Sequence, residues 1–342
     1  MSGNCLRVAV IGAGMAGATC ARALADAGHA VEVFDKSRGA GGRMSARRVP
    51  WGAGEELRLD HGAPGFGAEG PDFLAFLEQA RQAGLLARWT PRLASGCGAE
   101  PGGAMWVPTP DMPALCRWLL SGLPLRTLAT VDRVRRSRAG WSLESAGATL
   151  ADGFDAVAVA IPPQQAAALL LPHRADWARR AQGTAMLPAW VLMGVTELPA
   201  APCAWDVLQP VSGPLSLVLR NDARPGRTLL PGLAQWVVHA VASWSRAHLE
   251  TPPAEVQAAL QAALADCVGA ELAWRHAAVH RWLYAAPALA PALNRRPAGG
   301  ECAWWDVRTG LGVCGDTLGG GGVEGAWRSG TALAGMLAGG MA

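Results

Sequence analysis

The sequence predicts an α/β protein with two domains, a parallel sheet in the first and an inserted α+β fold in the second. Three observations lead to this prediction. The length of 342 residues corresponds to roughly two domains of about 150 residues each. A strand, a glycine turn, a helix and a second strand follow one another over residues 6–36, an order typical of parallel sheets. Similar buried-strand patterns recur near the end of the chain, so the first domain is predicted to be discontinuous.

The elements follow from the hydrophobic pattern. Short apolar runs bounded by glycine or proline predict strands, and apolar residues at helical spacing predict helices. The predicted strands are 6–11, 31–34, two within 125–143, 156–161, 185–195, 236–244, 279–284 and 310–314. The predicted helices are 16–27, 71–88, 255–268 and 323–337. A loop rich in glycine and arginine is predicted at 37–48, and a loop or short strand, rich in glycine and proline, at 94–109. The predicted domains are 1–70 with 122–165 and 285–342, and 71–121 with 166–284.

Composition excludes several classes of protein. Apolar residues make up 51% and charged residues 17% of the chain, which predicts a large core rather than disorder. A net charge of +3 is too small to suggest a nucleic-acid partner. The 8 cysteines form no C-x-x-C pair, so we expect free thiols and no metal site. The longest uncharged run, 228–245, contains proline and polar residues, and we expect a soluble, cytoplasmic protein without a membrane span.

A dinucleotide-binding turn follows the first strand. Gly12, Gly14 and Gly17 match G-x-G-x-x-G between a predicted strand and a predicted helix. Such glycines allow a tight turn, close approach of a pyrophosphate, and close packing of helix on strand. Asp35 ends the second strand, 23 residues after Gly12, where a carboxylate can accept hydrogen bonds from a ribose. Lys36, beside it, is the only lysine in the chain.

Two further motifs distinguish FAD from NAD. A glycine-rich loop ends in Arg43, eight residues after Asp35, and its guanidinium can hydrogen-bond a pyrophosphate. Near the other end of the chain, Gly315 and Asp316 follow a predicted strand and precede a glycine-rich turn and a helix. The two motifs resemble those of the flavin-containing amine oxidase superfamily. That resemblance implies a Rossmann-type FAD-binding domain with an inserted substrate domain, as in amine oxidases and p-hydroxybenzoate hydroxylase.

The resemblance also implies a set of residues that hold FAD without a covalent bond. The helix after the C-terminal motif would direct its N-terminus at the flavin, where its dipole favours a reduced, anionic ring. Cys314 is interpreted as a core residue and not as a covalent tether. The residues expected at the cofactor are Gly12, Gly14, Met15, Ala16, Gly17, Asp35, Lys36, Gly41, Gly42, Arg43, Gly62, Ala63, Val131, Gly315, Asp316, Val323, Glu324 and Ala326.

Blocks along nearly the whole chain resemble the bacterial renalase-like branch of this superfamily. They are residues 34–44, 220–227, 236–245, 280–284 and 312–325. The resemblance implies an oxidase that takes a hydride onto flavin N5 from 2- or 6-dihydro isomers of NAD(P), returns NAD(P)+ and passes the electrons to O2, giving H2O2. The chain departs from that branch at Pro64 and Gly65, where the family has glutamine and tyrosine.

A dihydropyridine needs positioning and no strong base. Many amine oxidases of the superfamily use a lysine near the flavin, and Lys36 is expected at the adenosine end instead. The candidates for shaping the substrate pocket are His61, Asn221, His239, Arg281, Trp282 and Tyr284. Arg220, Arg224 and Arg227 are interpreted as solvated surface residues, although they could attract an anionic dinucleotide.

Two other functions stay open at this point. Because of Pro64 and Gly65, the substrate could instead be an amine or another small metabolite, oxidised with FAD. The other alternative is a flavoprotein that binds FAD for a redox or structural purpose without turnover. The expected partners are a small-molecule substrate and O2, with no nucleic acid and no membrane.

Overall fold

The computed structural model describes residues 5–52, 54–94, 104–199, 203–288 and 301–340. The strands are β1 (Arg7–Ile11), β2 (Ala30–Phe34), β3 (Ala46–Trp51), β4 (Glu55–Asp60), β5 (Leu86–Trp89), β6 (Met105–Pro108), β7 (Leu125–Arg126), β8 (Arg133–Ser137), β9 (Gly140–Ser145), β10 (Ala148–Phe154), β11 (Ala156–Val159), β12 (Met186–Glu197), β13 (Val207–Leu208), β14 (Leu215–Arg220), β15 (Leu233–Ala240), β16 (Trp274–Pro287), β17 (Trp304–Asp306) and β18 (Leu311–Val313). The helices are α1 (Met15–Asp26), α2 (Pro71–Gln82), α3 (Ala114–Leu119), α4 (Pro163–Leu170), α5 (Ala175–Gln182), α6 (Ala242–Ala247), α7 (Pro253–Val268), α8 (Asp316–Gly319) and α9 (Gly322–Gly340).

A six-stranded sheet carries the first half of the fold, in the order β17-β18-β11-β1-β2-β7. All its pairings are parallel except that of β17 with β18. β1 and β11 lie at its centre and are buried almost throughout, as expected of strands covered on both faces. The predicted α/β class with a parallel sheet is therefore confirmed, and strands from both ends of the chain do meet in one sheet.

A five-stranded antiparallel sheet forms the second half, in the order β13-β14-β15-β12-β16. One face of this sheet packs on α7 through Val256, Leu260 and Leu264. The opposite face, which carries Val191 and Val237, belongs to the core shared with the first half of the fold. We propose the domain boundaries given above as the division between the two halves.

Several elements differ from the sequence prediction. The loop predicted at 37–48 ends early, because β3 begins at Ala46 and forms a hairpin with β4. The helix predicted at 71–88 ends at Gln82, because Gly84 adopts a left-handed φ of 74° and a strand follows. The strand predicted at 236–244 stops at Ala240, and residues 95–103 of the predicted loop lie outside the described part of the chain.

The described helices include none that is both long and apolar enough to cross a bilayer. The seven cysteines in the described ranges form no disulfide. Cys314 is buried, and its thiol hydrogen-bonds with that of Cys20. This hydrogen bond, and then burial, raise the pKa of Cys314 well above its ordinary value, which makes the thiolate rare and agrees with a core role.

Two glycines allow the helices to lie close to their neighbours. A Cβ at Gly17 would lie 1.9 Å from the carbonyl oxygen of Gly12, so α1 can pack on the glycine turn only without a side chain there. A Cβ at Gly330 in α9 would lie 2.3 Å from the carbonyl oxygen of Ala16. The α1–α9 contact therefore depends on backbone touching backbone, and it fixes how α9 approaches the glycine turn.

The Gly330→Ala variant tests this contact. The added methyl group forces α9 away from α1, and we expect a loss of about 1–3 kcal/mol in the free energy of unfolding. The matched control is Gly335→Ala in the same helix, where a Cβ meets nothing within 4 Å. The free energy of unfolding of the control should equal that of the wild type or exceed it by up to about 1 kcal/mol, because alanine favours helix more than glycine does. Urea unfolding of both variants measures the difference, and equal stability would contradict the packing argument.

Candidate active site

A cavity of about 1700 Å³ lies between the two sheets. Its walls include the glycine turn after β1, the loop that ends in Arg43, and the start of α9. They also include residues of β15 and β16 in the antiparallel sheet. One cavity therefore joins the predicted nucleotide motifs to the predicted substrate pocket.

The nucleotide end of the cavity is a cradle of backbone. A Cβ at Gly14 would have no heavy atom nearer than the Cα of Gly42, at 3.7 Å. Contacts with the described residues therefore do not explain why this position is a glycine. The close approach of a cofactor phosphate to the backbone does. α1 begins at Met15 with no side chain capping its N-terminus, which leaves N–H groups for an anion.

Asp35 organises the turns around this cradle. One carboxylate oxygen accepts a hydrogen bond from the backbone N–H of Ala13, and the other accepts one from Ser37, both at 2.7 Å. Each oxygen keeps a second lone pair, and the residue lines the cavity. Asp35 can thus also accept a ribose hydroxyl, while Lys36 beside it is exposed at the cavity wall.

The two distant motifs are tied together by an ion pair. Arg43 donates two hydrogen bonds to Asp316, at 2.9 and 2.6 Å, across 273 residues of sequence. A bidentate pair of this kind fixes orientation as well as charge. The positive charge of Arg43 is therefore balanced by Asp316, and the pair rather than the arginine alone lies at the cavity wall.

Of the residues predicted at the cofactor, all but two line the cavity. Gly17 is a packing residue, as described above. Glu324 is a correction: its carboxylate accepts hydrogen bonds from the backbone N–H groups of Glu69 and Gly70, and pairs with Arg328. Glu324 thus holds the loop before α2 in place rather than facing a cofactor.

An aromatic cluster forms the opposite end of the cavity. The rings of His61 and Trp282 stack with centroids 5.4 Å apart and an interplanar angle of 19°. His280 meets both rings edge-on, at 4.7 and 4.4 Å. The indole N–H of Trp282 donates to the carbonyl of His61 at 3.0 Å, which locks strand β16 to the loop after β4. Tyr284 and His239 also line the cavity.

The histidines of this end are neutral at pH 7. Burial, with His280 and then Arg47 among the nearby groups, lowers the pKa of His61 to about 3. Burial, followed by the charge of Arg224, lowers the pKa of His239 to about 4. Burial, followed by the charge of Arg47, lowers the pKa of His280 to about 4. His61 Nδ1 and His239 Nε2 are buried and have no hydrogen-bond partner in the described residues, which makes them available to a ligand.

A buried ion cluster lies behind this wall. The Asp60 carboxylate accepts hydrogen bonds from Arg224, at 3.1 Å, and from Arg227, and all three side chains are almost wholly buried. One carboxylate and two guanidinium groups leave a net positive charge. The interpretation of Arg224 and Arg227 as solvated surface is therefore wrong. Arg220 is half-buried and pairs with Asp222.

Asn221 belongs to the same cluster and not to the pocket. Its side-chain oxygen accepts the N–H of Asp60 at 3.2 Å, and its amide donates to Arg58 and Gln235. It does not line the cavity, so the expectation that it shapes the pocket is wrong. Every polar atom of its side chain is used to hold the end of β4, which explains why a polar residue is fully buried there.

Arg281 lies at the cavity wall, but its guanidinium faces elsewhere. It donates to the carbonyl of Leu249, pairs with Glu250 and lies 5.8 Å from the ring centroid of Trp190. Residues 276–282 alternate between the two faces of β16, as in any strand. Trp282 and His280 therefore share the cavity face, while Arg281 stabilises the opposite one. Arg281 thus lines the cavity, as predicted, but its guanidinium is used in contacts within the protein.

The departure at Pro64 and Gly65 has a structural reason. Gly65 has a φ of 152°, and a Cβ there would lie 2.5 Å from the sulfur of Met105. The space that a larger residue at this position needs is filled by Met105. Pro64 lines the cavity, so this loop still contributes to the wall.

Sequence reasoning missed two charged residues around the pocket, Asp60 and Arg47. Asp60 ends a strand and precedes the His61-Gly62 turn, a position similar to that of Asp35 after β2. Arg47 lines the cavity from β3, an element that the glycine-rich pattern hid. Spacing alone does not indicate either, because their partners come from strands far away in sequence.

Comparison with known proteins assigns the chain to a family. The profile of a Rossmann-like NAD(P)-binding domain matches residues 10–80. The profile of the flavin containing amine oxidoreductases matches residues 100–337, more than half of the chain. The chain belongs to the flavin containing amine oxidoreductase family. With the glycine cradle and the Arg43–Asp316 pair, this membership makes the protein an FAD-dependent oxidoreductase.

Solved structures share the fold over nearly the whole chain. A provisionally assigned protoporphyrinogen oxidase from Exiguobacterium sp. 255-15 is similar with a TM-score of 0.74 and 10% identity, covering 98% of this chain and 99% of its own. Cyclohexylamine oxidase from Brevibacterium oxydans IH-35A gives 0.70 and 15%, with 98% and 99% coverage. Putrescine oxidase gives 0.64 and 14%, with 97% and 98% coverage. At these identities the likeness extends to the two-domain architecture and no further.

The Gly14→Val variant tests the cradle. The variant should fold, because no protein atom lies close to the added Cβ, but its branched side chain blocks the approach of the cofactor. We expect loss of bound FAD, measured as visible absorbance per polypeptide after purification. Gly67→Val is the matched control, since Gly67 is exposed, does not line the cavity and has nothing within 4 Å of its Cβ. A yellow Gly14→Val protein would show that the cofactor lies elsewhere.

The buried histidines predict acid sensitivity. Because the pKa of His239 is lowered to about 4 in the folded protein, the unfolded chain binds its proton first as pH falls below 6.5. The free energy of unfolding therefore decreases with falling pH, by about 1 kcal/mol per pH unit for this residue between pH 6 and 5. His239→Gln should lessen that slope by this amount in urea unfolding with excess FAD. Parallel slopes for variant and wild type would contradict the neutral assignment.

Proposed function

We propose that the protein oxidises dihydronicotinamide dinucleotides reduced at the 2- or 6-position of the ring, in the manner of the renalase-like branch, returning NAD(P)+. Non-covalently bound FAD would supply the two-electron acceptor and pass the electrons to O2, giving H2O2. The observation that carries the proposal is the electrostatic character of the aromatic end of the cavity. It combines neutral imidazoles and an indole with positive charge behind them.

This character suits an anionic hydride donor better than a cationic amine. Two of the four carboxylates among the described lining residues are ion-paired, Asp111 with Arg58 and Arg117, and Asp316 with Arg43. The other two, Asp35 and Asp132, accept backbone N–H groups. None of the four contacts the aromatic cluster of His61, His280 and Trp282 in the described part of the chain, where an ammonium group would have to be received. The net positive Asp60 cluster and Arg47 would repel a cation and attract a phosphate-bearing substrate.

The proton chemistry points the same way. An amine enters as an ammonium ion and must lose a proton before its α-carbon can give up a hydride. Histidines with a pKa of about 3 to 4 are weak bases at pH 7, and the only lysine lies at the nucleotide end. A dihydropyridine has no proton to lose, so it needs only a surface that orients its ring.

Each pocket residue then has a part in orientation. Trp282 and His61 present stacked planar rings on which a dihydropyridine ring can lie. The free Nδ1 of His61 and Nε2 of His239 can hydrogen-bond polar substituents such as a carboxamide. Tyr284 closes the wall beyond Trp282, and Pro64 closes it on the side of the loop after β4. These contacts also exclude water from the site of hydride transfer.

Anaerobic absorbance of the purified flavoprotein tests the proposal. The 2-, 4- and 6-dihydro isomers of NAD and of NADP are added separately, followed by cyclohexylamine and putrescine as amine controls. We expect the 2- or 6-isomers to bleach the visible band rapidly and stoichiometrically, with slow responses to the 4-isomers and the amines. On admission of O2 the colour should return with one H2O2 per substrate.

Two results would contradict the proposal. Rapid bleaching by an amine would make the protein an amine oxidase, which is the second function compatible with the family. Bleaching by none of these compounds, in a protein that dithionite reduces normally, would indicate a different small metabolite.

A further inference from the structure

Arg47 is a cation for which the described part of the chain provides no anion. It is half-buried and lines the cavity, and its guanidinium makes no hydrogen bond or ion pair with any described residue. The other arginines of the wall that are not fully solvated are balanced: Arg43 by Asp316, Arg58 by Asp111 and Arg281 by Glu250. An unpaired, partly buried guanidinium is costly to keep, and a ligand anion would remove that cost.

The surroundings of Arg47 favour an anion. It lies close enough to His61, His276 and His280 for its charge to lower the pKa of each. His61 lines the same cavity, and its Nδ1 has no hydrogen-bond partner among the described residues. The backbone of Leu59 takes the N–H of the other ring nitrogen, so Nδ1 of the neutral ring accepts and does not donate. His276 does not line the cavity. Because these imidazoles are neutral, none of them balances the charge of Arg47, and its guanidinium is left as a donor that no acceptor of the described residues satisfies.

We propose that Arg47 binds a phosphate of the substrate at the wall of the cavity. The proposal rests on the proposed function, because a dihydronicotinamide dinucleotide carries its negative charge on the phosphates attached to its ribose. A guanidinium matches two phosphate oxygens with two N–H groups. Binding the phosphate at Arg47 while the ring lies on Trp282 would fix the substrate at two points, which is how orientation is obtained without covalent chemistry.

A phosphate is favoured over a carboxylate because of its charge. The Asp60 cluster adds a second positive centre behind His239, and a phosphate with up to two charges gains more from two such centres than a carboxylate with one.

Binding of nicotinamide mononucleotide and of nicotinamide riboside to the holoenzyme tests the proposal. The two ligands differ only by the phosphate, and neither is turned over, so affinity is read without activity. For Arg47→Gln we expect the dissociation constant of the mononucleotide to rise by about tenfold to a hundredfold and that of the riboside to change less than about twofold. Arg47→Lys should recover part of the lost affinity, since lysine restores the positive charge but not the paired N–H groups of a guanidinium.

Arg275→Gln is the matched control. Arg275 lies next to His276 on β16, but it pairs with Glu197, is 60% exposed and does not line the cavity. Removal of the same charge there should leave both affinities unchanged. Equal weakening of mononucleotide and riboside in Arg47→Gln would overturn the proposal, because it would reveal only a disturbed pocket. Loss of FAD from Arg47→Gln would also overturn it and reassign Arg47 to the cofactor.

The experiments test the proposed reaction and the proposed phosphate site independently. If dihydronicotinamides reduce the wild-type flavin but Arg47→Gln keeps its affinity for the mononucleotide, only the phosphate site is wrong. If no dihydronicotinamide reduces the flavin but the mononucleotide still binds through Arg47, the phosphate site stands and the proposed reaction is wrong.

Discussion

The buried carboxylate of Asp60 is the constraint on which the rest of the site depends. It ends β4, accepts the N–H of Met112 at 3.0 Å, and neutralises part of the charge on Arg224 and Arg227 from the antiparallel half of the fold. One residue later the chain reaches His61, whose carbonyl receives the indole of Trp282. A single ionised group thus joins the two halves of the molecule where the cavity passes between them. Removing it would leave two buried arginines unpaired, which is among the most destabilising changes that a core can suffer.

The same cluster sets the chemistry of the pocket. Burial keeps His239 neutral in front of this cluster, and the charge of Arg224 adds to that effect. The cluster holds one more positive than negative charge, which makes the inner cavity unfavourable for cations. Burial likewise keeps His280 neutral, with a further contribution from the charge of Arg47. The pocket therefore has flat, neutral rings to lie against and positive charge around them, and none of its described histidines is a strong base at pH 7. A donor that gives up a hydride without first losing a proton suits such a site, and an anionic donor suits it best.

The nucleotide half of the fold could be predicted from the sequence because its signals are local. Gly12, Gly14 and Gly17 lie within one turn, and the strand and helix around them have clear periodicity. The substrate half was harder, because its decisive contacts join residues that are distant in the sequence. In the sequence, Arg224 and Arg227 look like solvated residues in a Pro-Gly turn and Asn221 looks like a pocket residue. Only the approach of Asp60 from β4 makes the three a buried network. Arg47 was missed because the short hairpin that carries it follows a glycine-rich run that resembles a loop.

The most direct test of this account is the pH dependence of the first half-reaction. The rate constant of flavin reduction by a 6-dihydronicotinamide dinucleotide is measured anaerobically, at saturating substrate, from pH 5.5 to 9. The account predicts a nearly constant rate, because the histidines around the pocket have pKa values of about 3 to 4 and the donor has no proton to lose. A rate that rises tenfold per pH unit across part of this range would reveal a required base and contradict the account.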